Sequence, residues 1–269
     1  MVSFLEFINE KLITLDRKRP NYNQVIILAG GAGSGKGFVI KNLLGVDGKK
    51  FDVDDLKTKA LKSTGIRQKV KDQFDIDLDK LDLKNADDVS TLHNIVSTLR
   101  LDKKSKDFMY STIKGDNKPN LIYDVTLKDL QKLETISSEV QKLGYEKENI
   151  HIVWVVNDVN TAIQQNAKRD RRVAKDILID THELVSYTIS NILKKNTLRK
   201  YMDGDFWFVF NKQFTDSVLN VSDNGGSYIK DAVYFKVKEK SKNILKISEI
   251  SDNYIDKIKA YVPNPEVWK

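Results

Sequence analysis

The stretch from Val25 to Gly37, VIILAGGAGSGKG, constrains the fold of this chain more than any other. Val25, Ile26, Ile27 and Leu28 form an apolar run with no polar break, the pattern of a parallel strand buried on both faces. Five of the chain's 13 glycines then fall between Gly30 and Gly37. There the backbone must turn sharply and bring its N–H groups near a ligand with no Cβ in the way. The spacing Gly30-x-x-x-x-Gly35-Lys36 is that of a phosphate-binding loop, and Phe38, Val39, Ile40, Leu43 and Leu44 after it have the spacing of a helix.

Amides between Ala32 and Gly37 are expected to converge on one concavity, with Lys36 reaching the β- and γ-phosphates of a triphosphate. The loop set is therefore Gly30, Gly31, Ala32, Gly33, Ser34, Gly35, Lys36 and Gly37, with ATP as the expected guest. Gly37 stands where a Ser or Thr would offer a hydroxyl to magnesium, a form that resembles the loop of adenylate-kinase-like enzymes. Magnesium is accordingly expected to be held by phosphates, water and a downstream carboxylate. The competing reading is a glycine-rich turn without a ligand.

A chain of 269 residues with 40% hydrophobic side chains can fill the core of one large α/β domain. It has no cysteine, which excludes a disulfide framework or thiolate metal site, and His93, His151 and His182 lack ligand spacing. Phe4 to Leu15 is interrupted by Glu6, Asn9, Glu10 and Lys11, so it reads as neither a signal peptide nor a membrane span, and a cytoplasmic location is expected. The net charge of +7 admits an acidic partner such as nucleic acid, although lysines interleaved with aspartates also describe a solvated surface.

The chain divides into an N-terminal amphipathic helix (1–20), a central domain (21–200) and an extension packed on that domain (201–269). Residues 50–53, 120–126, 150–156 and 205–211 read as further strands, and 232–238 alternates as an edge strand of an antiparallel ribbon would. Helical patterns separate them, at 127–143, 162–168, 177–193 and 247–261. Residues 61–83 and 89–99 form a helical insert on the acceptor side of the expected site. The fold class is α/β: a P-loop NTPase-type parallel sheet with helices on both faces, a helical lid or insert, and a β-containing C-terminal extension, with ligands at the carboxyl ends of the strands.

Lys36, the acidic group Asp52, Asp54 and Asp55, and Asp124 with Thr126 all lie at or just past the ends of predicted strands and should meet at one sheet edge. The run Lys168-Arg169-Asp170-Arg171-Arg172 supplies further positive charge. Phosphoryl transfer needs such parts: positioning, charge neutralisation, and a carboxylate for the nucleophile. Each also has a plainer reading, since Asp52, Asp54 or Asp55 can cap a helix, Asp124 and Thr126 can cap a strand end, and the arginines can be a solvated face.

In order, GGAGSGKG, DVDDLK, LIYDVT and NAKRDRRVAKDILIDTH resemble the kinase branch that includes polynucleotide 5′-hydroxyl kinases and zeta-toxin-type kinases, over Val25 to Leu193. The resemblance implies that Asp54 is the general base, that Lys57 replaces a substrate-phosphate arginine, and that Asp124 holds the acceptor where the zeta type usually has Glu. It implies Arg169 and Arg172 as lid arginines, although Val173-Ala174 departs from the usual proline after the lid. The implied activity is ATP- and magnesium-dependent transfer of a γ-phosphate to an alcohol, most directly a nucleic-acid or nucleotide hydroxyl, with a nucleotide sugar as the alternative acceptor. A nucleotide-driven ATPase switch and a non-catalytic phosphate-binding scaffold are the readings from other classes. A GTPase is disfavoured, because Asn117-Lys118-Pro119-Asn120 and Asn211-Lys212-Gln213-Phe214 both lack the final Asp of the guanine motif.

Overall fold

The computed structural model describes residues 22–44, 46–211, 218–221, 226–229 and 233–269; the amphipathic helix expected before Pro20 lies outside them. The described residues form eight strands: β1 (Val25–Ala29), β2 (Lys49–Asp52), β3 (Leu121–Asp124), β4 (Ile150–Val156), β5 (Phe206–Phe210), β6 (Val218–Val221), β7 (Gly226–Ile229) and β8 (Val233–Lys238). Six form one sheet in the order β2-β3-β1-β4-β5-β8, and β6 and β7 pair separately. The first five are parallel, and β8 joins β5 antiparallel, so the alternating segment edges the main sheet.

Alternation along the strands sorts their side chains onto two faces. Val25, Ile27 and Ala29 of β1, with Ile152, Trp154 and Val156 of β4 and Phe206, Phe208 and Phe210 of β5, point to one side. There they meet α6 (Leu130–Lys142), α8 (Lys175–Lys195) and α9 (Asp252–Tyr261), with α7 (Val159–Ala167) between β4 and α8 in the chain. Ile26, Leu28, Val153, Val155 and Val209 point to the other, where Val39, Leu43 and Leu44 from in and just after α1 (Lys36–Asn42) cover them. The expected parallel sheet with helices on both faces is thus the architecture observed. The C-terminal Trp268 is buried in the first layer, stacked on Trp154 with ring centroids 5.3 Å apart.

The insert is helical as expected, but broken into short pieces: α2 (Val53–Lys62), α3 (Thr64–Phe74), α4 (Ala86–Thr98) and α5 (Leu101–Ser111). They bury a third core of Ala60, Val70, Leu78, Leu92, Ile95, Val96 and Leu99. The weak periodicity of 61–83 follows from this, because a helix start at Ser63, a left-handed C-cap at Asp75 and a 3₁₀ turn at Leu78–Lys80 reset the helical phase. The terminal helix likewise splits into a 3₁₀ turn (Ile247–Glu249) and α9. Where the insert meets the sheet, the Tyr110 hydroxyl lies 2.6 Å from that of Tyr123 and donates to Glu139, which also pairs with Lys106.

The end of the sheet away from the glycine loop carries a buried histidine. His151 Nδ1 accepts the Asp205 N–H at 2.9 Å, and its Nε2 lies 2.8 Å from the Gln24 side-chain oxygen, so the neutral Nε2–H tautomer is fixed by its partners. Burial, aided by Lys240, Lys236 and Lys238, lowers its pKa to about 3. The unfolded chain takes up this proton near pH 6.5, so His151 contributes stability that is complete above that value and is lost as pH falls toward 3. The expected slope is about 1.4 kcal/mol per pH unit. Urea unfolding between pH 7 and pH 4.5 should show this extra loss in the native chain and not in His151→Phe, a variant less stable at pH 7; equal slopes would remove His151 as the source.

Candidate active site

A cleft of about 1200 Å³ opens at the carboxyl ends of the parallel strands. One wall is the glycine loop with Lys36; facing it are the start of α2, the outer face of α4, the segment 124–132 after β3, and the basic segment 168–171. Parallel register brings the acids together, because Asp52 of β2 lies beside Asp124 of β3, and Asp124 beside Leu28 of β1, two residues before the loop.

The glycines are required for different reasons. Gly33 (φ +74°) and Gly35 (φ +92°) adopt left-handed backbone, and a Cβ on Gly31 would lie 2.3 Å from the His182 ring. A Cβ on Gly37 would meet nothing within 4 Å, so no packing excludes a hydroxyl-bearing residue at that position. The loop carbonyls are all engaged. Lys36 Nζ donates to Gly30 O at 2.7 Å and Gly31 O at 3.3 Å, while Ala32, Gly33 and Ser34 accept from His182 (2.9 Å), Asn157 (3.1 Å) and Asn211 (2.8 Å). The Gly30 N–H donates to Thr126 O at 3.1 Å, which anchors the loop to the end of β3.

Positive charge in the cleft is largely withdrawn from water. Burial holds Lys36 below the usual lysine pKa, opposed by Asp124 3.8 Å away and reinforced by Arg169. Burial also holds Lys57 down, with Asp52 opposing. Lys50 differs: burial pulls it down, but its 2.8 Å bond to Asp52 and the field of Asp124, 3.4 Å away, outweigh this and leave it raised. His182 is lowered by burial and by Lys36 despite its bond to Ala32, which keeps it neutral with Nε2–H as the donor.

The aspartates divide their labour. Asp52, in the N-cap position of α2, accepts the Asp54 N–H at 2.8 Å. Asp54 is therefore free of the cap and turns its carboxylate into the cleft, pairing with Lys57 Nζ at 3.4 Å and with Arg171 Nη2. Asp55 is exposed and also reaches the cleft wall.

Of the basic run, Arg169 lines the cleft, while Arg172 is exposed, does not line it, and is tied by its backbone N–H to Leu83 O at 2.9 Å. The inward arginine is Arg171, with a side chain 11% exposed. Its Nη1 is buried and lacks a hydrogen-bond partner among the described residues. Asn166 makes two bonds to the backbone of Val173, closing the segment between them into a tight loop that sets which arginine points inward. Sequence reasoning counted Arg171 only as part of the basic run and passed over Asn157, Asn211 and the loop contact of His182. For the asparagines a signal existed, since each directly follows a buried strand, the rule that singled out Asp124.

No protein-family model matches this sequence, and no curated protein matches it. Among solved structures, it is similar to the AvrRxo1-ORF1:-ORF2 complex at 11% identity, with 90% of this chain and 72% of that one covered and a TM-score of 0.47. The AvrRxo1-ORF1:-ORF2 structure with ATP is similar at 10% identity over the same shares, with a TM-score of 0.42. A structure of the PezAT chromosomal toxin–antitoxin system of Streptococcus pneumoniae is similar at 12% identity, covering 76% of this chain and 72% of that one, with a TM-score of 0.41.

Proposed function

We propose that this chain is an ATP-dependent phosphotransferase that moves the γ-phosphate of ATP to an alcohol, the acceptor being a nucleotide or nucleic-acid hydroxyl. The observation that carries the reading is the Asp54 carboxylate, released from helix capping and held between Lys57 and Arg171 across the cleft from the glycine loop. A carboxylate in that place can accept the proton of an acceptor hydroxyl while its oxygen bonds to the γ-phosphorus and the bond to the departing ADP breaks. Lys36 answers the charge of the β- and γ-phosphates. In this reading Arg169 and the Nη1 of Arg171, which has no hydrogen-bond partner among the described residues, cover the transferring group, and the second lid arginine is Arg171 in preference to the exposed Arg172.

The donor set fits magnesium brought in mainly by the nucleotide. Position 37 offers no hydroxyl, and the described residues hold no cluster of three or more His, Cys, Asp or Glu able to cage an ion. Asp124, beside Lys36 at the strand end, is the carboxylate that would hold the ion, together with phosphate oxygens and water. Magnesium there would supply neutralisation of the phosphate charge.

The wall facing the loop carries Lys57, Lys128, Lys132 and His93, and Lys57 and Lys128 both hold the His93 pKa down after burial has lowered it. This concentration of cations supports an acceptor that already bears phosphate. A nucleotide sugar is the second reading, favoured by the scarcity of rings: Phe38 and His93 are the only ones lining the cleft among the described residues, whereas single-stranded nucleic acid is commonly gripped by stacking on aromatic side chains. No helix of the described residues is long and apolar enough to cross a membrane. We place the reaction in the cytoplasm, where ATP and such acceptors are found.

The decisive assay is transfer of labelled γ-phosphate, with magnesium, to 5′-hydroxyl oligonucleotides, nucleosides, nucleotides and nucleotide sugars. Label should appear on a phosphate-bearing alcohol, and Asp54→Asn should lower kcat by about 10²- to 10⁴-fold while ATP binding is retained. Phosphate released to water equally by both proteins, with no acceptor labelled, would point to the ATPase alternative. In the same assay Lys57→Met should raise the acceptor KM about tenfold and leave the KM for ATP within twofold; a change confined to ATP would move Lys57 to the nucleotide side.

A further inference from the structure

Three consecutive loop carbonyls, those of Ala32, Gly33 and Ser34, each receive one side-chain donor, and each donor comes from a different element. His182 belongs to α8, Asn157 follows β4, and Asn211 follows β5. All three are more than nine-tenths buried, at 8%, 2% and 6% exposure, and none lines the cleft. They stand behind the loop, off the lining of the cleft.

We propose that His182, Asn157 and Asn211 are positioning residues that set the triphosphate affinity of the glycine loop by holding these carbonyls away from the cleft. The inference rests on the reading that the loop binds ATP. A peptide unit is planar, with its C=O and N–H on opposite sides, so fixing a carbonyl outward fixes the next N–H inward. The bond to Ala32 O therefore orients the Gly33 amide, and the bond to Ser34 O orients the Gly35 amide. The middle unit is held at both ends, since Gly33 O accepts from Asn157 while the Ser34 N–H donates to Gly31 O at 3.2 Å. Glycine at 33 and 35 leaves these planes free to rotate, and a rotated plane would present a carbonyl dipole to the phosphates. Flexibility that permits the turn therefore needs an outside restraint, and the three donors provide it.

The restraint is linked to the far end of the chain. α8 carries His182 and is gripped by residues 264–268: Asn264 donates to Glu183 O at 3.1 Å, Trp268 Nε1 donates to Ser186 Oγ at 2.8 Å, and Val267 O accepts from Ser190 and Lys194. Ser186 and Ser190 lie one and two turns beyond His182, so the packing of Trp268 fixes the rotation of α8 that aims the imidazole at Ala32 O.

The test is calorimetric titration of Mg-ATP into the full chain and into Asn157→Ala, Asn211→Ala, His182→Leu and His182→Gln, with Tm recorded for each. Each donor deletion should weaken ATP binding about tenfold, the effect of one lost hydrogen bond, and His182→Gln, which keeps a donor of similar reach, should recover to within about threefold. In the transfer assay the loss should appear in the KM for ATP more than in kcat. Deleted variants that keep native Tm and native ATP affinity overturn the proposal, as does His182→Gln binding no better than His182→Leu. If none of the deletions folds, the donors serve stability alone and the proposal also falls. A native chain with no ATP affinity overturns the phosphotransferase reading itself, an outcome distinct from native affinity that the variants leave unchanged.

Discussion

Lys36, Lys57 and Arg171 are cations held largely out of water within one cleft, and the rest of the site is arranged around the desolvation this entails. Burial without acids would be ruinous; burial with too many would cancel the field that phosphates require. The structure answers with carboxylates that lie close without satisfying every donor. Asp124 stands 3.8 Å from Lys36, beyond a tight bond, and Arg171 spends one terminal nitrogen on Asp54 while the other has no partner among the described residues. Lys50 completes the balance by bridging Asp52 and Asp124 and so preventing two adjacent acids from repelling each other.

This balance depends on strand register. In a parallel sheet, residues at the same level on neighbouring strands lie side by side, so Asp52, Asp124 and the start of the glycine loop come together because β2, β3 and β1 are neighbours. An aromatic layer against the other half of the sheet fixes the register of β4 and β5. Trp154, Phe208 and Trp268 pack edge to face and face to face, and a slip by one residue would turn β4 and β5 aromatics toward α1.

Much of this was legible in the chain. β1 and β5 are unbroken apolar runs, β4 is broken only by His151 and β3 is apolar up to Asp124, the pattern of doubly covered strands, and Lys36, Asp54 and Asp124 are read from their places at or just beyond strand ends. The basic run was legible as charge but not as direction. Loops have no period, and whether residue 169, 171 or 172 turns inward is decided by the Asn166 brace to Val173 and the docking of Arg172 N–H on Leu83, contacts that no local pattern encodes. The grip of Trp268 on α8 was hidden for a related reason, since a lone tryptophan beyond two prolines has no neighbours to supply a phase.

The division between Asp52 and Asp54 shows why composition at a site says less than position. Both are aspartates, two residues apart, at the start of the same helix. Asp52 is the last residue of β2 and has extended backbone, so its side chain folds over the first turn and bonds the Asp54 N–H. Asp54 already has helical backbone, and its side chain leaves the axis toward Lys57 one turn on and toward the arginine loop beyond. Exchanging their chemistry would require moving the strand–helix junction by two residues, which would also shift Lys57 off the cleft wall and separate Asp52 from its register partner Asp124. One junction therefore fixes the cap, the carboxylate facing the loop, and the cation that partners it.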